Sequence, residues 1–347
     1  MEKQAILGKT LTELQEITTS LGLPRFTAAQ LADWIYKKKV SGFEEMSNLS
    51  IKARELLEEK YCIGSIAHTR VEESTDGTKK YLFPSGKNNF IEAAYIPEEK
   101  RNTLCISSQA GCKMGCLFCM TGKQGFQANL SPLEIINQLW NLPERDEVSN
   151  LVFMGMGEPF DNMDNLMKTL EILTSTWGME ISPKRITVST IGIIPAMSRF
   201  IDESDCHLAV SLHTPFEEER KNLMPIENVY PLDEIFSMLK SFEFPKQRKI
   251  SFEYIMFKGL NDTRRHVNEL VRLMHGLKAK INLIRFHPVP GTPLEGSSDK
   301  AILAFKDALN AKGVTTTIRA SRGLDIAAAC GLLSTKELLE KEGEKDF

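Results

Sequence analysis

The sequence has no hydrophobic run that approaches the roughly twenty apolar residues of a membrane helix. Its first residues, MEKQAILGKT, also lack the apolar stretch of a signal peptide. These absences predict a cytoplasmic protein that has no membrane partner. Seven cysteines in such a chain argue against a disulfide framework and favour metal-binding or catalytic roles.

A strong excess of charge of either sign is also missing, because the formal net charge is only −3. The protein as a whole therefore has no electrostatic attraction for nucleic acid, and any contact with a polynucleotide must come from local patches. Two candidate basic patches are Lys37, Lys38 and Lys39, and Lys79 with Lys80. Each of them is more often simply a solvated face.

The 347 residues suffice for one catalytic domain and a smaller appendage. Residues 1–64 contain three segments with apolar residues at helical spacing, which predict a helical domain. Residues 65–100 have β-branched stretches around the turns STDGTKK and PSGKN, which predict a short antiparallel hairpin that links two parts. We assign residues 101–335 to the main domain and residues 336–347 to a C-terminal tail.

Strand-like runs alternate with amphipathic helical runs throughout the predicted main domain. Examples are NLVFMG followed by MDNLMKTLEILTST, and HLAVSLH, KISFEYIMF and KINLIRFHP further along. Repeated β-α units imply a parallel sheet and an α/β fold. About six such strands would form a partial barrel that is open along one side, with ligand-binding residues where the strands end.

The most informative motif is Cys112-x-x-x-Cys116-x-x-Cys119, within the run SSQAGCKMGCLFCMTGKQGF. Thiolates are soft ligands, and an iron-sulfur cubane that only carries electrons normally takes four cysteines. Three cysteines in one tight loop predict a cluster with one unligated iron, which leaves a corner free for substrate. Phe118, between the second and third cysteines, can shield such a cluster from water.

A structural zinc site is the alternative interpretation of these cysteines. Zinc sites usually contain a second pair of ligands that completes a tetrahedron, and no such pair is nearby. Cys105 could serve as a fourth ligand, but it lies in the apolar run TLCIS, which predicts a strand leading into the loop. Cys62 and Cys206 lie in apolar contexts, where a small buried thiol is the commonest explanation.

Further polar residues follow the predicted strands. Gly157 and Glu158 come after NLVFMG, where a tight turn without a side chain lets the backbone approach a ligand. Four more polar groups end later strands: Ser189, Ser211, His213 and His287. Together they predict a ligand rim, although each one alone is better explained as a capping residue or a core histidine.

Near the end of the chain, RASRGLDIAAACGLL places Cys330 after the last strand. This residue is either a small buried thiol in a helix or a partner of Cys105, with both thiols facing one cavity.

The cysteine spacing, with an aromatic residue before the last cysteine, resembles the radical S-adenosylmethionine (SAM) superfamily. Several motifs in order over nearly the full length resemble one of its members, the RlmN family of dual-specificity RNA methyltransferases. They are RFTAAQLADWIY, IEAAYIP, CISSQAGCKMGCLFCMTGKQGF, FMGMGEP, VSLH, HPVPGTP and SRGLDIAAACG. The resemblance implies a partial β/α barrel that binds a [4Fe-4S] cluster and SAM, with an N-terminal helical domain that helps to grip RNA.

The activity that the resemblance implies is methylation of an adenine at carbon 2, in 23S rRNA near the peptidyl transferase centre and beside the anticodon of certain tRNAs. One SAM would methylate Cys330, and a second would yield a 5'-deoxyadenosyl radical that removes hydrogen from this methyl group. The methylene radical would then add to the ring. Cys105 would attack the Cys330 sulfur and form a transient disulfide, and Glu92 would accept the ring proton.

The resemblance also assigns cofactor contacts to Gly157, Glu158, Ser189, Ser211, Leu212 and His213, and ligation of the cluster to Cys112, Cys116 and Cys119. His287 departs from the family pattern, which has asparagine before the proline; a histidine can still donate a hydrogen bond, but its protonation becomes a variable. We further expect a monomer, an electron donor such as flavodoxin or ferredoxin, and an adenine extruded from its stack. Basic residues of the helical domain are the first candidates for gripping the RNA backbone.

Three alternative functions remain at this point. A Cfr-type enzyme would methylate carbon 8 of the same rRNA adenosine with the same machinery. A zinc-stabilised nucleic-acid-binding module and a plain iron-sulfur electron carrier would both leave Cys330 unexplained.

Overall fold

The computed structural model describes residues 3–86, 88–245 and 248–335. The predicted tail, residues 336–347, lies outside the described residues. The strands are β1 Gln4–Ala5, β2 Tyr61–Cys62, β3 Arg70–Glu73, β4 Lys79–Ser85, β5 Asn89–Glu98, β6 Arg101–Cys105, β7 Gln109–Gly111, β8 Phe126–Asn129, β9 Asn150–Phe153, β10 Ile186–Thr190, β11 His207–Ser211, β12 Ile250–Met256, β13 Ala279–Arg285 and β14 Thr316–Ile318.

Helices precede and alternate with these strands. The α-helices are α1 Leu11–Ser20, α2 Thr27–Ala32, α3 Ile51–Lys60, α4 Met120–Gln124, α5 Pro132–Trp140, α6 Met163–Thr174, α7 Ile194–Glu203, α8 Glu217–Leu223, α9 Leu232–Ser241, α10 Arg264–Met274 and α11 Asp299–Ala311. A π-helical turn at Asp33–Lys38 extends α2, and short 3₁₀ turns lie at Phe43–Glu45, Pro159–Asn162, Pro183–Arg185 and Pro225–Asn228. Among the described residues, no helix is both long and apolar enough to cross a membrane.

A single sheet organises the larger part of the molecule, with the strand order β14-β13-β12-β11-β10-β9-β6-β5-β4-β3. Neighbouring strands from β6 to β14 in this order are all parallel. Every residue of β12 is buried, as expected for a parallel strand that is covered on both faces. The predicted partial barrel is confirmed, with seven parallel strands in the described part of the chain where about six were expected.

The hairpin that was predicted within residues 65–100 corresponds to β3, β4 and β5. These strands pair antiparallel with one another, and β5 pairs antiparallel with β6. The hairpin therefore extends the barrel sheet instead of standing apart as a separate linker. This arrangement places Ala94 of β5 directly opposite Cys105 of β6.

The N-terminal helices pack around their own apolar core, which includes Leu14, Leu31 and Ile35. Trp140 of α5 and Ile172 of α6 complete this core, so the helical region is continuous with the helices of the barrel. The division of the chain at residues 64 and 100 stays a prediction.

Local signals in the sequence explain where several helices begin. Ser131 and Glu134 form a reciprocal capping box at the start of α5, which also has a proline in its first turn. Thr10 and Glu13 form the same motif at α1. Such caps satisfy amide groups that have no partner within the helix, and they fix the point at which each helix packs on the sheet.

Candidate active site

The three cysteines of the motif lie in a loop that is closed at its base by pairing of β7 with β8. The amide of Cys112 donates to the carbonyl of Gly125, with an N···O distance of 3.0 Å. A Cβ atom on Gly111 would lie 1.7 Å from that carbonyl oxygen, and the φ of Gly111 is 69°. Only glycine fits this position, so the loop closes because of its glycine as well as its cysteines.

Burial dominates the electrostatics of these thiols. It raises the pKa of Cys112 to about 12, with Cys119 acting in the same direction. Burial also raises the pKa of Cys116 well above its ordinary value, with further contributions from Cys119 and Cys112. Thiols that raise one another's pKa lie close together, and only a bound cation would hold all three as thiolates.

The donor set of this loop bears on the kind of metal site. Within the described ranges, no three His, Cys, Asp or Glu side chains are placed to hold a single metal ion. Thiolates are soft ligands that suit zinc and iron-sulfur clusters, and the ligands of a four-iron cluster occupy separate corners. Three cysteine thiols on one loop therefore fit an iron-sulfur cluster that keeps one corner free.

Phe118 packs beside the loop in an apolar cluster that also contains Cys116, Leu223 and Phe257. Its ring lies edge-on to the imidazole of His213, with 4.5 Å between ring centroids. This packing excludes water from one side of the cysteine loop, as predicted for an aromatic residue at this place.

Gly157 and Glu158 follow β9 and lie against the start of the cysteine loop. The φ of Gly157 is 96°, and a Cβ atom there would come within 2.7 Å of the backbone nitrogen of Gln109. The Glu158 carboxylate accepts hydrogen bonds from the backbone amides of Ile191, at 3.0 Å, and Phe160, at 3.1 Å. Burial raises the pKa of Glu158 to about 7, although these hydrogen bonds act against the shift.

His213 follows β11 in a left-handed conformation, with φ 58°. Its Nδ1 accepts a hydrogen bond from the backbone amide of Ile255, at 3.0 Å, so the neutral ring carries its proton on Nε2. Burial, assisted by the charge of Arg220, lowers the pKa of His213 to about 3. The imidazole is therefore a fixed neutral donor at any ordinary pH.

Arg220, on α8, was not predicted from the sequence and is fully buried. Its Nη2 donates to the carbonyls of Ile191, at 2.9 Å, and Ser211, at 3.1 Å, and its Nη1 is paired with Glu227. The loops after β10 and β11 are thus held by one guanidinium. Its charge also acts on Cys116, where it opposes the rise in pKa.

A cavity of about 490 Å³ lies inside the barrel, and its lining includes both Cys105 and Cys330. Cys105 ends β6 and is buried, and Cys330 is half-buried in a turn, not in a helix. The Cys330 thiol raises the pKa of Cys105 and also that of Cys119. Cys330 thus shares a cavity with Cys105, and its neighbour Gly331 is bonded to Met120, which follows Cys119 in the cysteine loop. This placement supports the second of its two interpretations.

The loop that carries Cys330, here called the Cys330 loop (residues 322–331), is fastened on two sides. On the cluster side, the carbonyl of Gly331 accepts from the amide of Met120 at 2.8 Å. On the hairpin side, Asp325 accepts from Ser74 at 2.5 Å, and Asp76 accepts from the amide of Gly323 at 2.9 Å.

Glu92 is a buried residue of β5. It lies on the same face of the strand as Ala94, which is opposite Cys105 of β6. Its Oε1 lies 3.1 Å from Nζ of Lys80, and its Oε2 accepts from the backbone amide of Ser334 at 3.0 Å. Burial raises the pKa of Glu92, although Lys80 counteracts the shift. Glu92 does not line the 490 Å³ cavity but contacts the segment that follows the Cys330 loop.

The remaining predicted residues lie at the same end of the barrel. Ser189, Ser211 and Leu212 are at or just after the ends of β10 and β11, whereas His287 lines the cavity with Cys330. Burial lowers the pKa of His287, and Arg285 acts in the same direction, so this imidazole is neutral at pH 7.

The two candidate basic patches are less basic than their sequences indicate. Each lysine forms an ion pair: Lys37 with Glu180, Lys38 with Asp33, Lys39 with Asp146, Lys79 with Glu144 and Lys80 with Glu92. Acidic partners, several of them distant in sequence, thus neutralise much of the charge that was expected to attract RNA.

The barrel, its cysteine loop and the polar strand ends define a radical SAM enzyme. Residues 106–274 match the model of the radical SAM superfamily, and residues 4–63 match the model of the ribosomal RNA large subunit methyltransferase N-terminal domain. The chain is 54% identical over 341 residues to the probable dual-specificity RNA methyltransferase RlmN of Phocaeicola vulgatus, covering 98% of each chain. It belongs to the RlmN family.

More distant relatives agree with this assignment. The dual-specificity RNA methyltransferase RlmN of Syntrophus aciditrophicus is 42% identical over 345 residues, covering 98% of this chain and 99% of that one. A crystal structure of a radical SAM methyltransferase from Sphaerobacter thermophilus superposes with a TM-score of 0.88, at 36% identity, over 95% of this chain and 99% of that one.

Proposed function

We propose that this protein methylates carbon 2 of an adenine in 23S rRNA and of the adenine beside the anticodon in certain tRNAs, and that it does so through a methylated cysteine. The observation that carries the proposal is the position of Cys330, which shares a cavity with Cys105 while the next residue, Gly331, is bonded to Met120 of the cysteine loop. The names of the relatives, all dual-specificity RNA methyltransferases, support RNA of two kinds as substrate. They do not favour the Cfr-type reaction at carbon 8.

In this proposal Cys112, Cys116 and Cys119 hold a [4Fe-4S] cluster, and SAM contacts Gly157, Glu158, Ser189, Ser211, Leu212, His213 and His287. The bound cluster would supply the electron that cleaves SAM reductively. A carboxylate has about four acceptor positions, so Glu158 can accept from an ammonium group while it holds the amides of Ile191 and Phe160. Arg220 keeps the ends of β10 and β11 at a fixed spacing for the rest of the cofactor.

Cys330 carries the methyl group to the base, and Cys105 releases the product. The Cys105 thiolate attacks the Cys330 sulfur, a disulfide forms, and the electron pair of the sulfur–methylene bond leaves with the methylene carbon, which takes up a proton. Glu92 accepts the proton from carbon 2, because burial gives its carboxylate the raised pKa of a general base. An external reductant then supplies two electrons and two protons that return the disulfide to two thiols, and an electron donor such as flavodoxin or ferredoxin would supply the electrons of the cluster.

The test is anaerobic reconstitution of the enzyme with iron and sulfide, followed by incubation with rRNA or tRNA and methyl-labelled SAM. We expect wild-type enzyme to produce 2-methyladenosine, identified by mass spectrometry of digested nucleosides, and Cys330→Ala to produce none. The matched control is Cys206→Ala, because Cys206 is a buried thiol of the outer barrel core. Methylation by Cys330→Ala would contradict the covalent route, and a product methylated at carbon 8 would favour the Cfr-type reaction.

A further inference from the structure

Cys105 is a poor nucleophile in the environment that the fold gives it. Burial, assisted by the charge of Cys330, raises the pKa of its thiol to about 12, although Arg319 opposes the rise. At pH 7 such a thiol is almost entirely protonated, and only the thiolate attacks sulfur. A reaction that depends on Cys105 therefore needs a group that stabilises its thiolate.

Arg319, just after β14, is the cation that acts on both thiols. It lines the cavity with Cys105 and Cys330. Its Nη1 donates to the thioether of Met154 at 2.9 Å, and Cys105 packs against Met154 in the same small cluster. Met154 therefore contacts both the guanidinium and the nucleophile.

The other ionisable groups of the cavity do not supply this charge. The cations among them are Arg101, Lys249, Lys280 and Arg322, and the others are Glu98, Glu253, His207 and His287. The thiol of Cys105 is affected by the charge of Cys330, which opposes ionisation, and by that of Arg319, which favours it. Arg319 in turn has a raised pKa, chiefly because of the charge of Cys330. Burial opposes this rise, whereas Glu253 and Cys105 add to it.

We infer that Arg319 is a positioning residue that stabilises the Cys105 thiolate as it attacks the Cys330 sulfur. This inference rests on the proposed function, because it concerns the step that releases methylated RNA. The guanidinium keeps its charge throughout, so no proton or electron passes through it. A negative charge moves from the Cys105 sulfur to the departing methylene group, which is neutralised by a proton from water.

The first test measures the Cys105 thiolate without RNA. Cluster-loaded enzyme is treated anaerobically with iodoacetamide over a range of pH, and modification of the Cys105 peptide is followed by mass spectrometry. In Arg319→Met we expect the midpoint of the pH profile to rise by about one unit, which is about a tenfold lower rate below the midpoint. The midpoint is informative because a change in access to the cavity alters the rate at every pH without moving it.

Two variants serve as matched comparisons. Arg319→Lys keeps the charge and should hold the midpoint close to that of wild type. Lys280→Met removes another cation of the same cavity and should leave the Cys105 midpoint unchanged. If Arg319→Met does not fold, as judged by circular dichroism and iron content, Arg319→Gln replaces it, since an amide can still donate to Met154. An unchanged midpoint in the folded variant, or an equal shift in Lys280→Met, would overturn the inference.

The second test uses RNA and separates this inference from the proposed function. Arg319→Met should accumulate a covalent protein–RNA adduct, visible as a retarded band under denaturing conditions, as Cys105→Ala should. Rapid release of methylated RNA by Arg319→Met at the wild-type rate would contradict the inference. If Cys105→Ala forms no adduct with any RNA, the proposed function fails, whereas the iodoacetamide midpoints still decide the role of Arg319.

Discussion

The candidate site has two sides that are held in different ways. One is the side around the cysteine loop and Glu158, which is proposed to bind the cofactors and is called the cofactor side. The other is the side around Cys330, which is called the cysteine side. On the cofactor side, Glu158, His213 and Arg220 are deeply buried and bonded to backbone groups of neighbouring strands. On the cysteine side, Cys330 lies half-buried in a turn whose loop is fastened mainly at its two ends. The comparison indicates that one side has a single fixed geometry, whereas the other leaves the Cys330 sulfur more freedom. The proposed function requires this freedom, because in it the sulfur meets several partners in turn.

The largest expected effect is loss of the proposed cluster when one of its cysteine ligands, on the cofactor side, is removed. We expect Cys116→Ala to lose nearly all iron after anaerobic reconstitution and to show no cleavage of SAM. Cys105→Ala and Cys330→Ala should retain wild-type iron, because these thiols belong to the other side. Iron and sulfide analysis with visible absorbance provides the measurement.

Two results would undermine this division of the cysteines. One is full iron content in Cys116→Ala, and the other is the loss of iron in Cys105→Ala. Binding of one zinc per chain, with no iron under anaerobic conditions, would instead restore the alternative of a structural zinc site.

The next effect concerns how much a buried ion pair on the cofactor side contributes to the free energy of unfolding. Arg220 and Glu227 form a fully buried ion pair, and removing one partner of such a pair costs about 3–5 kcal/mol, because the other charge stays buried. We therefore expect Arg220→Met to lower the free energy of unfolding by about that amount in urea denaturation. The double variant with Glu227→Gln should recover part of the loss, since the uncompensated charge is gone.

A surface arginine provides the comparison for this experiment. Arg199 pairs with Asp164 and Glu203 while its side chain is 41% exposed. Exposed pairs contribute about 0–1 kcal/mol, so Arg199→Met should change little. Equal losses in Arg199→Met and Arg220→Met would show that burial of the pair is not what makes it important.

The sequence predicted residues that belong to local motifs far better than residues that act across the fold. The cysteine loop, Gly157 with Glu158, and the thiols Cys105 and Cys330, which line one cavity, were all candidates from their spacing or from resemblance. Arg220 was not, since it lies in EEERKNL, which has the composition of an exposed charged helix. No periodicity signals that one side of this helix meets the ends of β10 and β11.

Charge was the property that the sequence predicted least well. The run from Lys37 to Lys39 was a candidate RNA contact, but its partners Glu180 and Asp146 are more than a hundred residues away in sequence. Arg319 had no distinguishing motif either, because the role that we infer for it depends on two cysteines that the fold brings to one cavity. Hydrophobic and polar periodicity predicts strands and helices, whereas the pairing of charges depends on the tertiary fold.

The smallest expected effect concerns the hydrogen bonds that fasten the Cys330 loop to the hairpin. Partial burial acts to raise the pKa of Asp76, but hydrogen bonds from Thr78, Gly323 and Ser74 outweigh it and lower the pKa from 3.8 to about 2. A lowered pKa means that the contribution of Asp76 to stability is complete above about pH 4 and is lost as the pH falls through 2. The contact with the Cys330 loop should therefore be constant between pH 5 and 8.

Hydrogen exchange of the amides in residues 323–330 measures this contact directly. We expect wild-type protection, corrected for intrinsic exchange rates, to stay constant over that pH range, and Asp76→Asn to lower it by about three- to tenfold, since a neutral amide accepts a weaker hydrogen bond than a carboxylate. Asp205→Asn, at an exposed acid of another loop, should leave it unchanged. If Asp76→Asn leaves protection intact, the loop is held from the cluster side alone, through the bond between Met120 and Gly331, and the cysteine side of the site is more rigid than its exposure implies.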